Sequence, residues 1–173
     1  AEICSRHGLT VWSDEIHCDL MFEPGTHVPF ASLNAEIAER TVTLMSPSKT
    51  FNLSGLSCGF AVIPNAELRQ RFQTAAGELV PRPNVLGYVA CRAAYEEGEA
   101  WRLALIDYLR GNRDLLESFF SKRLPQFGLS HVEATYLAWI DASCLGERNV
   151  MRFFDAAGVR LSDGVAFQGP GFV

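Results

Sequence analysis

The chain has 173 residues, enough for one domain or for pieces of two, and its 48% hydrophobic and 20% charged residues exclude a disordered polar tail. The net charge is −5 and the basic residues are scattered, which argues against a nucleic-acid partner, since that would select a basic face. No apolar run reaches about 18 residues, so no membrane-spanning helix is expected.

Five cysteines, Cys4, Cys18, Cys58, Cys91 and Cys144, are odd in number and irregularly spaced. That usage fits a reduced, cytoplasmic compartment better than a disulfide framework. Against 13 arginines stand only two lysines, Lys49 and Lys122. A chain that otherwise avoids lysine keeps one, Lys49, in an apolar and turn-rich setting.

Glu2 to Gly8 predicts the end of a helix, stopped by Gly8. Because the chain starts with Ala1 rather than Met, this helix is expected to be already under way. Leu9 to Ile16 reads as a short buried strand that turns polar at its C-terminal end. Residues 19–34, with Pro24, Gly25 and Pro29, are loop-like. Thr41-Val42-Thr43-Leu44-Met45 predicts a second buried strand leading into Ser46-Pro47-Ser48-Lys49-Thr50. Gly59 to Ile63 predicts a third, stopped by Pro64. These runs are continuously apolar, the pattern of strands covered on both faces in α/β proteins. Their polar residues collect at strand ends, where open α/β sheets bind ligands.

Helices are predicted over 66–80, 84–98 and 98–120, followed by a turn region at 123–130. Val132 to Asp141 reads as a strand, 149–157 as a short amphipathic helix, and the glycine-rich tail 159–173 as strand and turn. A boundary near residue 105 separates an α/β part, 1–105, from a smaller α+β part, 106–173.

Lys49 follows a buried strand and sits among the hydroxyls of Ser46, Ser48 and Thr50. An amine withdrawn from water is more easily neutral, which is the form that condenses with a carbonyl. Asp14, at the end of the neighbouring strand, could pair with a protonated ring nitrogen. Spacing alone leaves a solvated lysine and a turn-capping aspartate as the commoner alternatives.

Ser13-Asp14-Glu15-Ile16-His17-Cys18-Asp19-Leu20 and Ser46-Pro47-Ser48-Lys49-Thr50-Phe51-Asn52-Leu53-Ser54-Gly55-Leu56 resemble the fold-type I pyridoxal-phosphate (PLP) enzymes, class I/II aminotransferase family. The resemblance is nearest the cystathionine β-lyase (carbon–sulfur lyase) branch. His27 to Leu33, Glu133 to Asp141 and Gly158-Val159-x-Leu161 fit the same branch in the same order. It implies an aspartate-aminotransferase-like large domain, α/β with a mostly parallel sheet, plus a smaller α+β domain. It also implies PLP as cofactor, a cysteine S-conjugate as substrate, and a homodimer.

Carried over by resemblance, Lys49 holds the cofactor and later moves the substrate Cα proton. Asp14 pairs with the ring nitrogen. His17 stands where many relatives have a tyrosine beside the ring hydroxyl. Ser46 binds the phosphate, with Ser48 assisting. Ser57, eight residues after Lys49, departs from the arginine common there in the broad family. The family's N-terminal cofactor contacts and its substrate-carboxylate arginine have no counterpart here. The chain is therefore expected to be a fragment, inactive alone, with apolar sheet edges exposed.

Two alternatives share these residues: an aminotransferase proper, and an aminotransferase-like domain within a transcription regulator. A zinc site drawn from Cys4, His7, His17 and Cys18 fits no standard spacing, and no metal is expected. Trp12, Trp101 and Trp139 are expected in core or interface roles, His7 and His131 on the surface, and Cys58 as a buried, inert thiol.

Overall fold

The computed structural model describes residues 1–22, 25, 27–77, 79–146 and 150–173. They form two compact units, Ala1–Ile106 and Asp107–Val173.

The first unit opens with α1 (Glu2–Arg6), ended by Gly8 at φ +61°. Its sheet holds β1 (Val11–Asp14), β2 (Thr41–Met45) and β3 (Phe60–Val62), with β2 in the centre. β1 runs parallel to β2, with Val11 opposite Thr41 and Asp14 opposite Leu44. β3 returns antiparallel, with Met45 opposite Phe60. Between β1 and β2 lie a 3-10 turn at Phe30–Ser32 and the short helix α2 (Ala35–Ala38). Asn34 starts α2 by accepting the Ile37 N–H at 2.8 Å. Pro24, placed in this loop from the sequence, lies outside the described residues.

Leu20, Ile37 and Val42 are at most 2% exposed and form the centre of this unit. Each such side chain contributes about 1.5–3 kcal/mol on burial. Thr41, also fully buried, satisfies its hydroxyl on the Ile37 carbonyl at 2.6 Å.

Coverage on both faces holds for β2 but not for its neighbours. Trp12 on β1 is 63% exposed and Val62 on β3 is 51% exposed. In a three-stranded sheet both outer strands are edges, so their apolar side chains lack neighbours on one side.

α3 (Ala66–Ala76), α4 (Val85–Glu97) and α5 (Glu99–Arg123) follow. Asn65 and Asn84 cap α3 and α4 by accepting the N–H groups of Leu68 and Gly87, each at 2.9 Å. α3 stops four residues before its predicted end, at Gly77 with φ +46°. Gly98 divides α4 from α5. A Cβ there would lie 2.6 Å from the Phe51 ring, so glycine is required by close packing rather than by a left-handed turn.

In the second unit, β4 (Gly128–Leu129) pairs antiparallel with β5 (Ile140–Asp141). Ala142, Val150 and Val173 form its buried centre, against Phe127 and Phe154. α6 (Val150–Ala156) falls within the predicted 149–157 helix, whose Asn149 lies outside the described residues. The strand expected over 132–141 forms only at Ile140–Asp141. Thr135 adopts φ +67°, off the extended region, and Leu137 is 61% exposed. Strand propensity needs a partner strand to be realised, and most of this segment has none. Trp139 instead stacks on Phe172, with ring centroids 5.1 Å apart.

Candidate functional site at the sheet edge

β1 and β2 are parallel neighbours, so their C-terminal ends share one edge of the sheet. Asp14 closes β1, and Ser46 to Thr50 follow β2 directly. The backbone continues the ladder one step, with Glu15 N–H donating to the Leu44 carbonyl at 3.0 Å. The chain then turns through residues 16–19.

This folding brings Asp14, His17 and Lys49 into one electrostatic neighbourhood. The His17 imidazole is held below its ordinary basicity, first by burial and then by the positive charge of Lys49, with the negative charge of Asp14 opposing both. The two charged groups that act on this ring are those proposed from the sequence to flank a cofactor. Asp14 accepts the Ile16 N–H at 3.2 Å through Oδ1.

Lys49 and Asp14 are both exposed, against the expectation of an amine and a carboxylate withdrawn from water.

Ser46 is buried, and its hydroxyl donates to the Cys58 carbonyl at 2.7 Å. Its oxygen accepts the Ser48 N–H at 3.1 Å and lies 2.7 Å from Ser48 Oγ. The two serines therefore form a hydroxyl pair that ties the end of β2 to the chain entering β3. Thr50 is fully buried, and its Oγ1 has no hydrogen-bond partner among the described residues. An anion reaching this turn would meet hydroxyl donors, on condition that Ser46 exchanges its bond to Cys58.

The turn after Lys49 is held firmly. Ser57 adopts φ +49°, an uncommon conformation for serine and a local strain. α4 approaches here through Gly87, where a Cβ would lie 2.7 Å from the Leu56 carbonyl oxygen. Farther along α4, burial raises the Cys91 thiol, with the Cys58 thiol hydrogen-bonded beside it. Cys58 is buried, consistent with an inert role. Burial, with Asp19 adding its charge, pushes Tyr95 up to about 12.

Cys18 is raised to about 11 by burial and by the charges of Asp19 and Glu15. A thiol so reluctant to ionise is a poor zinc ligand. No group of three or more metal-ligating side chains occurs among the described residues. His131 is surface-lying and pairs with Glu117 at 2.8 Å. No helix among the described residues is long and apolar enough to cross a membrane.

Two residues with a part in this site escaped the sequence reading. Glu15 is buried and accepts hydrogen bonds from three groups, and Arg102 donates to the Asp19 carbonyl at 2.9 Å. Glu15 carried one usable signal: an acid directly after Asp14 at a strand end must face the other side of the strand.

Residues 1–166 match the family model for aminotransferase class I and II. The chain is 40% identical over 150 residues to cystathionine β-lyase PatB of Bacillus subtilis, covering 84% of this chain and 38% of that protein. It is 32% identical over 143 residues to protein MalY of Escherichia coli, covering 82% and 36%. Among solved structures, OvoB superposes with a TM-score of 0.95 at 50% identity, covering 99% of this chain and 45% of that one. Cystalysin from Treponema denticola, solved with pyridoxal 5'-phosphate, superposes with a TM-score of 0.93 at 33% identity, covering 99% and 45%. The chain thus spans less than half the length of these relatives, and it belongs to the class I and II aminotransferase family.

Proposed function

We propose that this chain is part of a PLP-dependent carbon–sulfur β-lyase, which cleaves cystathionine or another cysteine S-conjugate, with consumption of one water, to a thiol, pyruvate and ammonia. The observation that carries the reading is the shared edge of β1 and β2, where Lys49 and Asp14 both act on His17. Relatives named cystathionine β-lyase, such as PatB, support the reaction class. Solved neighbours containing PLP, such as cystalysin and the C–S lyase of Staphylococcus hominis, support the cofactor.

The residues present fit that cofactor. Lys49 offers an exposed primary amine for the aldehyde carbon. Asp14, an exposed carboxylate that accepts the Ile16 N–H, suits a protonated ring nitrogen. His17, on which the charges of both act, would suit the ring hydroxyl. Ser46, Ser48 and the unpaired Thr50 hydroxyl are suited to phosphate oxygens. When bound, PLP would supply an electron sink for negative charge developing at the substrate Cα. Asp14 would hold a proton on the ring nitrogen, and Lys49 Nζ would take the proton from the substrate Cα. His17 would orient the ring, and the serines would hold the phosphate end.

A homodimer in the cytoplasm completes the proposal. Five free cysteines support a reducing compartment. The alternative outcome, transamination, is supported by 32% identity over 146 residues to a probable N-succinyldiaminopimelate aminotransferase of Mycobacterium tuberculosis.

The test is borohydride reduction of the PLP-loaded protein followed by peptide mapping. The label belongs on the peptide carrying Lys49, and Lys49→Ala should abolish it. Labelling elsewhere, or none, refutes the assignment. Pyruvate release from cystathionine without an added oxo acid distinguishes the lyase from the transaminase.

A further inference from the structure

Adjacent acids at the end of β1 have opposite surroundings. Asp14 is exposed, whereas the Glu15 carboxylate is 4% exposed. A buried carboxylate is costly unless hydrogen-bonded, and Glu15 is fully provided for. Its Oε1 accepts the Phe30 N–H at 3.0 Å and the Ser13 hydroxyl at 2.9 Å. Its Oε2 lies 2.8 Å from His27 Nε2. Two of these partners come from 12 and 15 residues along the chain, so the carboxylate joins the strand end to the 27–30 segment.

The far end of the same turn is also held. Arg102 on α5 donates to the Asp19 carbonyl at 2.9 Å, and Glu99 grips its guanidinium through two bonds of 2.7 Å. Between these two anchors lies His17, and immediately before the first lies Asp14.

We infer that Glu15 is a positioning residue for Asp14 and His17. Its buried carboxylate fixes the roll of the strand end, and so the direction from which both side chains face Lys49. It acts through its neighbours and touches neither cofactor nor substrate. The inference rests on the proposed PLP function for its meaning. The clamp itself rests on the three groups that contact the carboxylate.

The experiment uses the PLP-loaded protein with Glu15→Gln, which keeps an acceptor for Phe30 N–H but removes the charge. Three quantities are read: the visible circular dichroism of bound PLP, the PLP Kd, and the unfolding temperature. Misplacement of a site by about 1 Å can cost roughly 100-fold in rate. A changed dichroic band, with a Kd weakened about tenfold, is expected on that scale. An unfolding temperature that falls while the band and Kd stay at wild-type values overturns the inference, because that is the pattern of a purely structural residue. If Glu15→Gln does not fold, His27→Ala removes one partner and leaves the carboxylate. A band displaced in that variant supports the inference, and an unchanged band and Kd overturn it. Borohydride labelling of Lys49 in the wild type separates the two readings. No label refutes the PLP function and the inference together, and a label with an unmoved Glu15 variant refutes the inference alone.

Discussion

Gly87→Ala sets two opposing effects against each other, and the structure decides between them. Gly87 lies in the first turn of α4, and alanine there gains about 1 kcal/mol of helix propensity. The added Cβ, however, would stand 2.7 Å from the Leu56 carbonyl oxygen and 3.4 Å from Cys58 Cβ. Relief requires a movement of roughly 0.7 Å, the gap between 2.7 Å and the 3.4 Å at which ordinary contact begins. The obstacle is backbone, which cannot rotate aside as a side chain can. Overpacking of this kind costs about 1–3 kcal/mol, and a backbone obstacle belongs in the upper part of that range. The net expectation is a loss of about 1–2 kcal/mol, which lowers the unfolding temperature by roughly 3–6 °C in a chain of this size. The displaced segment also carries the Cys58 carbonyl that receives the Ser46 hydroxyl, so PLP affinity should fall with stability. Denaturant unfolding and PLP titration of the same preparation measure both. A variant more stable than wild type would refute the packing argument, because propensity would then have outweighed the contact.

Glu15 predicts a specific acid sensitivity. Burial pushes its carboxyl up, but the hydrogen bonds from His27, Phe30 and Ser13, with the His27 charge, hold it below the ordinary 4.5. A carboxyl depressed in the fold adds stability that is present above 4.5 and disappears as pH falls through the lower folded value. Glu15→Gln should therefore flatten the stability profile below 4.5, and an unchanged slope would contradict the clamp. His17 acts in the same direction at higher pH. Its folded basicity lies below 6.5, so the unfolded chain binds the proton first and stability declines as pH drops below 6.5. His17→Asn should remove that decline in an equilibrium unfolding series. Asn84→Ala deletes the acceptor for the Gly87 N–H and should cost about 1 kcal/mol by denaturant unfolding. Gly169→Ala would place a Cβ 2.5 Å from the Trp139 ring and should disturb its stack on Phe172, read as a change in near-ultraviolet circular dichroism.

The sequence alone determined the features whose causes are local. Apolar runs with polar ends located the three strands of the first unit's sheet, Gly8 marked the end of the first helix, and the order of the Asp14 and Lys49 segments pointed to the family. Tertiary structure decided the rest, because the deciding partner lay far along the chain. Val132 to Asp141 has strand-forming residues, yet only its last two found a strand to pair with. Lys49 and Asp14 read as withdrawn from water in the sequence, yet both side chains are exposed at the strand ends. Glu15, Arg102 and Gly87 look unremarkable in isolation. Each acquires its role from a group 12 to 83 residues distant, met only when the chain closes on itself.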